Sequence, residues 1–241
     1  MVDCMEVNAI ILAGGVGSRM KTDRPKQFIE IDGVPVIVDT LNNFQRNERV
    51  TGITVVCLKD WILYFGELVK RYELTKVTNI VEGGATGHDS ARNGMFSLRD
   101  KLSDDDFVII HDASRPLIPQ LIIDDMLDIA FKKGNACTAI PCHDTVIKTD
   151  DNISGIEQIE RSSFLRVQTP QAYRYGLIEP LYERAEKENR HDFIYANTMA
   201  ITYGTRIYFS KGFDCNIKIT TKEDIAFYKA MRQFSEEELT K

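Results

Sequence analysis

The chain has 241 residues, a 43% hydrophobic fraction and a formal net charge of −6. That length suits one large domain or two small ones, and the apolar content is ample for a core. The acidic balance excludes a general nucleic-acid binder, which would carry a basic surplus, so any phosphate site must be a local basic pocket. No stretch approaches the roughly 18 apolar residues of a membrane span, so no membrane partner is expected. The acidic start Met1-Val2-Asp3-Cys4-Met5-Glu6 lacks a signal-peptide pattern. Cys4, Cys57, Cys137, Cys142 and Cys215 are odd in number and scattered, which points to reduced thiols and a cytoplasmic protein. Cys137, Cys142 and His143 lie close together but lack the second ligand pair of a zinc site.

The apolar run Val7–Leu12 has the length of a buried strand, and it leads into Gly14, Gly15 and Gly17. Arg19 follows, then Arg24-Pro25-Lys26-Gln27. Glycine lets a backbone approach a ligand closely. N–H groups freed in such a turn can face an anion, and Arg19 and Lys26 add full charge, an arrangement suited to a polyphosphate. The P-loop is excluded because Gly-Ser-Arg stands where it needs Gly-Lys-Ser/Thr. The dinucleotide fingerprint is matched halfway, with Met20 at its third glycine. A tight strand-to-helix turn without a ligand would explain the glycines, but it has no need of Arg19 or of Pro25-Lys26-Gln27.

Further along, helix-like stretches at Val36–Gln45, Trp61–Tyr72 and Asp89–Leu98 alternate with strand-like runs at Ile53–Leu58 and Val77–Val81. Phe107–His111 is the next strand, followed by the helix Gln120–Lys132 and the strand Ala136–Ile140. The helix Gly176–Glu188, strands Arg206–Ser210 and Asn216–Ile219 and the helix Lys222–Arg232 complete the series. Thr221 can cap the last helix with Asp224 three residues on. Short apolar strands separated by amphipathic helices predict a Rossmann-like α/β fold, a mostly parallel sheet with helices on both faces. Residues His143 to Val167 break this rhythm. They are polar and read as two strands around a turn. An isolated hairpin is marginally stable, so this one should protrude and pack on something outside its own sheet, such as a second subunit.

In open α/β sheets, ligands gather at the C-terminal ends of strands. There the first strand meets the glycine loop, and Phe107–Ile110 runs into His111-Asp112-Ala113-Ser114-Arg115-Pro116. Asp112 can hold a hard cation or pair with Arg115. Lys218 precedes the last helix and is either a third cation for the site or a solvated edge lysine.

Five motifs occur in family order and spacing: Leu12-Ala13-Gly14-Gly15-x-Gly17-x-Arg19-Met20, Pro25-Lys26-Gln27, His111-Asp112-x-x-Arg115-Pro116, Gln168-Thr169-Pro170-Gln171 and Asn216-Ile217-Lys218-Ile219-Thr220-Thr221. On these the chain resembles, from Asn8 to about Ala230, the cytidylyltransferases of the methylerythritol phosphate and ribitol phosphate type. The resemblance implies a single nucleotidyltransferase domain over 1–241, with a dimerisation arm at about 143–167. It implies transfer of CMP from CTP to a polyol phosphate, giving CDP-polyol and pyrophosphate with Mg²⁺ or Mn²⁺. It also implies a homodimer whose arms reach into the partner's site. Carried over by motif, Arg19, Lys26 and Lys218 would be the catalytic cations. Ala13, Gly14, Gly15, Gly17, Gly83, Ser90 and Asp112 would bind the nucleotide, with Asp112 also the metal ligand. Arg115, Thr145, Arg161 and Thr169 would serve the polyol phosphate, Thr145 and Arg161 from the arm.

The acceptor oxygen is already anionic at neutral pH, so this mechanism needs fixed cations around the α-phosphorus rather than a general base. His111 and His143 are accordingly read as structural. No Gly-x-Ser-x-Gly elbow appears. The family's Thr-Asp pair before the penultimate strand has no clean counterpart in Asp192-Phe193-Ile194-Tyr195-Ala196-Asn197-Thr198, and Cys215 stands before Asn216. Leu12-Ala13-Gly14-Gly15 and Asp60-Trp61 lean towards ribitol 5-phosphate. The alternatives are the methylerythritol 4-phosphate enzyme of isoprenoid synthesis, a sugar-phosphate nucleotidyltransferase using another nucleotide, and a non-catalytic nucleotide-binding protein. Retention of Arg19, Lys26, Asp112 and Lys218 together speaks against the last.

Overall fold

A computed structural model of the protein describes residues 5–15 and 24–240, so Gly17 and Arg19 lie outside the described residues. The central sheet is built from β1 (Val7–Ala13), β4 (Gly52–Cys57), β5 (Val77–Glu82), β6 (Phe107–Asp112), β7 (Asn135–Pro141), β10 (Leu165–Arg174) and β11 (Phe209–Lys211). Their order across the sheet is β11-β7-β10-β6-β1-β4-β5. β1 pairs in parallel with β4 and β6, and β11 with β7, while β10 runs antiparallel to both of its neighbours. β2 (Glu30–Ile31) and β3 (Val34–Pro35) form a minimal hairpin beside the sheet.

Strands covered on both faces need apolar side chains at every position rather than at alternate ones. Accordingly every residue of β4 and β6 is buried. Ala9, Ile11 and Ala13 of β1 meet α1 (Val36–Gln45), α2 (Ile62–Arg71) and α4 (Gln120–Lys133) on one face. Ile10 meets α3 (Gly87–Phe96), α5 (Tyr175–Lys187) and α6 (Ala196–Thr202) on the other. α3 lies close to the sheet because residue 94 is glycine. A Cβ there would stand 2.7 Å from Ile10 Cγ2 and 2.8 Å from Val56 Cγ2. α7 (Lys222–Met231) begins at the expected Thr221–Asp224 capping box and covers a small core of Ile31, Val36, Leu117, Ile219 and Tyr228. α8 (Glu236–Leu239) follows it.

Three expectations change. Asn216–Ile219 is an irregular segment rather than a strand. Its alternation reflects Ile219 entering the small core, while Lys218 turns to the cavity described below. The strand expected at Arg206–Ser210 is the shorter β11. β10, the most central addition, went unanticipated because Gln168-Thr169-Pro170-Gln171 is polar and proline removes a ladder donor. The ladder tolerates it through a register shift between Val167 and Gln171.

The hairpin is present as β8 (Val146–Lys148) and β9 (Glu157–Ile159), with three pairs in its ladder. Residues Leu165–Val167, placed in the arm by sequence, are the start of β10. Ile147, Ile153, Ile156 and Phe164 are exposed along the arm. Among the described residues no helix is long and apolar enough to cross a membrane.

Candidate active site

β1 leads through α1 to β4 on one side, while β6 pairs on its other side. The β1–β6 junction is therefore where the chain's direction across the sheet reverses, the place where open α/β sheets hold ligands. A cavity of about 480 Å³ opens there, within the range of small-molecule sites.

Gly14 and Gly15 line one wall. Gly14 touches the loop after β5, since a Cβ on it would lie 3.1 Å from Ser90 Oγ and one on Gly83 only 3.5 Å from Gly14 Cα. Ser90 Oγ accepts from the Gly84 N–H (3.1 Å) and donates to the Thr86 carbonyl (2.9 Å), so the loop and the start of α3 are one unit. Thr86 and Asp89 close a capping box at that helix start, leaving Gly87, His88 and Ser90 on the cavity wall. Ala13 is buried behind Gly14, and its carbonyl accepts from Gln27 Nε2 (2.6 Å). Gly83 sits beside the lining residue Gly84.

Lys26 and Gln27 open a 3-10 turn, Lys26–Phe28, fixed from beneath by Phe28 stacked on Trp61 at 4.8 Å. Gln27 also donates to Gly15 O (3.1 Å), tying turn to loop. The Lys26 ammonium donates to Ile219 O (3.0 Å), one residue from Lys218. Lys218 Nζ meets Asp112 Oδ1 at 2.9 Å and lies 5.6 Å from the Tyr195 ring centroid. The structure thus joins three of the expected charged residues, Lys26, Lys218 and Asp112, on one cavity.

Asp112 is buried. Desolvation opposes its ionisation, but the Lys218 ammonium and the Arg115 guanidinium outweigh it and hold the carboxyl well below the usual range. Arg115 Nε meets Asp112 Oδ2 at 3.1 Å and Nη1 donates to Asn216 O (2.7 Å), so Arg115 stands behind Asp112 rather than on the cavity wall. Thr169 lines the cavity and its Oγ1 accepts from the Asp112 N–H (3.2 Å). The Lys218 segment lacks a ladder and is pinned by side chains. Asn216 Nδ2 donates to Thr169 O (2.8 Å), and Gln168 Nε2 donates to Phe213 O (2.9 Å).

Thr145 and Arg161 are exposed on the arm and do not line this cavity; Arg161 Nη1 donates to His143 O (3.0 Å). His111 is fully buried below the site, 3.1 Å from Arg115 O. Burial pushes its imidazole down to about 3, against the pull of Asp112. His88, stacked on Tyr182 at 5.1 Å, is likewise lowered by burial. Sequence reasoning assigned no role to Gln27, Gln171 or Tyr195, all on the wall. The two glutamines stand in the Pro25-Lys26-Gln27 and Gln168-Thr169-Pro170-Gln171 motifs, which was the available signal.

Among the described lining residues Asp112 is the one carboxylate, and no cluster of three His, Cys, Asp or Glu side chains exists among the described residues. This donor set is no cage. It fits a magnesium ion that would take most of its ligands from phosphates and water.

A glycine loop, fixed cations and a buried, ionised aspartate at the switch point of an α/β sheet define a nucleotidyl-transferring enzyme. The sequence model of the 2-C-methyl-D-erythritol 4-phosphate cytidylyltransferase family matches residues 7–233, and the chain belongs to that family. It is 35% identical to a ribitol-5-phosphate cytidylyltransferase of Lacticaseibacillus paracasei over 226 residues, 93% of this chain and 97% of that protein. It is 38% identical to a 2-C-methyl-D-erythritol 4-phosphate cytidylyltransferase of Clostridium novyi over 220 residues, 90% of this chain and 92% of that one. The crystal structure of a 4-diphosphocytidyl-2C-methyl-D-erythritol synthase from Anaerococcus prevotii superposes with a TM-score of 0.81 at 26% identity, covering 96% of this chain and all of that one.

Proposed function

We propose that the protein transfers the cytidylyl group of CTP to the phosphate of a polyol phosphate, with ribitol 5-phosphate preferred over 2-C-methyl-D-erythritol 4-phosphate. The observation that carries the chemistry is the convergence of Lys26 and Lys218 beside the buried Asp112. The ribitol preference draws support from the Lacticaseibacillus relative and from the Asp60-Trp61 pair.

An oxygen of the acceptor phosphate attacks the α-phosphorus and pyrophosphate leaves in line. Lys26 and Lys218 would stabilise the charge that gathers there, at no reorganisation cost because their carriers are already pinned. No histidine need move a proton, in keeping with the suppressed basicity of His111. A magnesium ion held by Asp112 and the nucleotide phosphates would neutralise charge on the leaving group. Gly17 and Arg19 would complete the phosphate loop. Thr145 and Arg161 would act in the site of a second subunit, a reading supported by the exposed apolar residues of the arm.

The test is pyrophosphate release with CTP, UTP, GTP and ATP against ribitol 5-phosphate, methylerythritol 4-phosphate and sugar 1-phosphates, with and without EDTA. CTP with ribitol 5-phosphate should be fastest and chelator should abolish turnover. A faster reaction with UTP or GTP and a sugar 1-phosphate would replace this reading, and full activity in EDTA would remove the metal.

A further inference from the structure

Gln171 lines the cavity yet is 1% exposed. Its Oε1 accepts from the Tyr173 hydroxyl at 2.8 Å. Tyr173 is fully buried, and this is its hydroxyl's hydrogen bond. In this pairing the buried hydroxyl gives its one hydrogen to Oε1, which turns the Nε2 end of the amide the other way. The Nε2 end has no hydrogen-bond partner among the described residues, and it is not among their sealed, unsatisfied polar atoms. It is the end left to meet a ligand.

Register places that ligand. Gln171 is opposite Ile110 on β6 and Cys137 on β7. The glycine loop follows β1 and the Gly83–Ser90 unit follows β5, so Gln171 sits two strands beyond β1 on the far side from that unit. Two strands span about 10 Å, enough to separate a nucleotide end from an acceptor end. Ile110, opposite Gln171 in register, is an apolar part of the same cavity wall. A neutral donor set in such a wall suits a hydroxyl better than a phosphate, which the lysines attract.

Resting on the reaction proposed above, we infer that the Gln171 amide donates a hydrogen bond to a hydroxyl oxygen of the acceptor's polyol chain, and that Tyr173 is the positioning residue that aims it. A site that hydrogen-bonds one substrate hydroxyl rejects the analogue lacking it, so Gln171 would set which polyols are accepted.

The test uses the full chain, with Tyr173→Phe and the double variant Gln171→Met/Tyr173→Phe. The double change removes both members of the buried bond, which leaves the interior satisfied. It should keep the thermal midpoint and the Kd for CTP, measured calorimetrically, while kcat/KM for ribitol 5-phosphate falls about tenfold. Wild type should reject one of a set of monodeoxy ribitol 5-phosphates by about tenfold, and the double variant should treat that analogue and the parent alike. Tyr173→Phe should lose part of this discrimination with CTP binding intact, and it reads the same quantity if the double variant does not fold. Undiminished discrimination in the variants, or an equal loss of CTP affinity, overturns the assignment. A wild-type protein inactive with CTP and every polyol phosphate overturns the reaction itself, and the assignment with it.

Discussion

Around Asp112 each charge is met by another group of the same chain, whereas in the β8–β9 arm Ile147, Ile153 and Ile156 face outward. Lys218 and Arg115 take one carboxylate oxygen each, and the segment carrying Lys218 is bound at Asn216. In the arm the best-satisfied piece is its turn, where Asp151 accepts from the N–H groups of Ile153 and Ser154, both at 2.8 Å. Ile153 itself is 92% exposed. A cluster completed by its own chain can hold its geometry before a ligand arrives. An outward apolar hairpin, marginal alone, has its main contacts still to make.

The largest effect should come from the cavity. Lys26→Ala should lower kcat on the order of 10²-fold or more with little change in thermal midpoint. Lys218→Ala should cost as much in kcat and also destabilise, because it leaves Asp112 with half of its charge partners. Steady-state kinetics beside thermal melts would show the split, and wild-type kcat in Lys26→Ala would remove that residue from the mechanism. The arm comes next. Arg161→Ala and Lys26→Ala should each be nearly inactive, and mixing them under subunit exchange should restore activity in the one heterodimer site that holds both wild-type residues. No recovery, with exchange shown by native mass spectrometry, would place Arg161 outside the partner's site.

A smaller effect lies beneath the cavity. His111 is neutral in the fold, so acid favours the unfolded chain. Its contribution is intact above the ordinary value of 6.5 and is lost as pH falls from there towards about 3. Over that window it costs at most about 1.4 kcal/mol per pH unit. Denaturant titrations at pH 7 and pH 5 should show His111→Gln losing less stability than wild type, and equal slopes would refute the burial argument. The smallest effect belongs to the arm's turn. Asp151→Ala should speed hydrogen exchange at the Ile153 and Ser154 amides without moving the global melting temperature; a lowered midpoint would mean that the turn supports the core.

The parallel half of the sheet was legible because β4 and β6 are apolar at successive positions, a pattern set by burial on both faces. β10 was opaque because its polar centre is satisfied by partners distant in sequence. Thr138 Oγ1 donates to Pro170 O at 2.7 Å, and Thr169 Oγ1 accepts from Asp112. Lys26, Asp112 and Lys218 were readable as charges inside motifs, with Asp112 at a strand end. Gln27 and Gln171 were not, since an amide acquires a role only from what holds its other end. Ala13, Gly14, Gly83 and Ser90 fall together, yet their closeness depends on two loops touching, which spacing alone does not express.

The place of β10 also has a consequence for synthesis. β6 and β7 are consecutive in the chain apart from α4, yet β10 lies between them. While the ribosome is still making residues 113–164, β1, β4, β5 and β6 can already align, but β6 presents a bare edge to its surroundings. Emergence at roughly 5–20 residues per second leaves that edge open for seconds. Bare edges invite pairing with foreign chains, so the nascent protein carries that liability at β6 until Leu165–Arg174 arrives to pair with it.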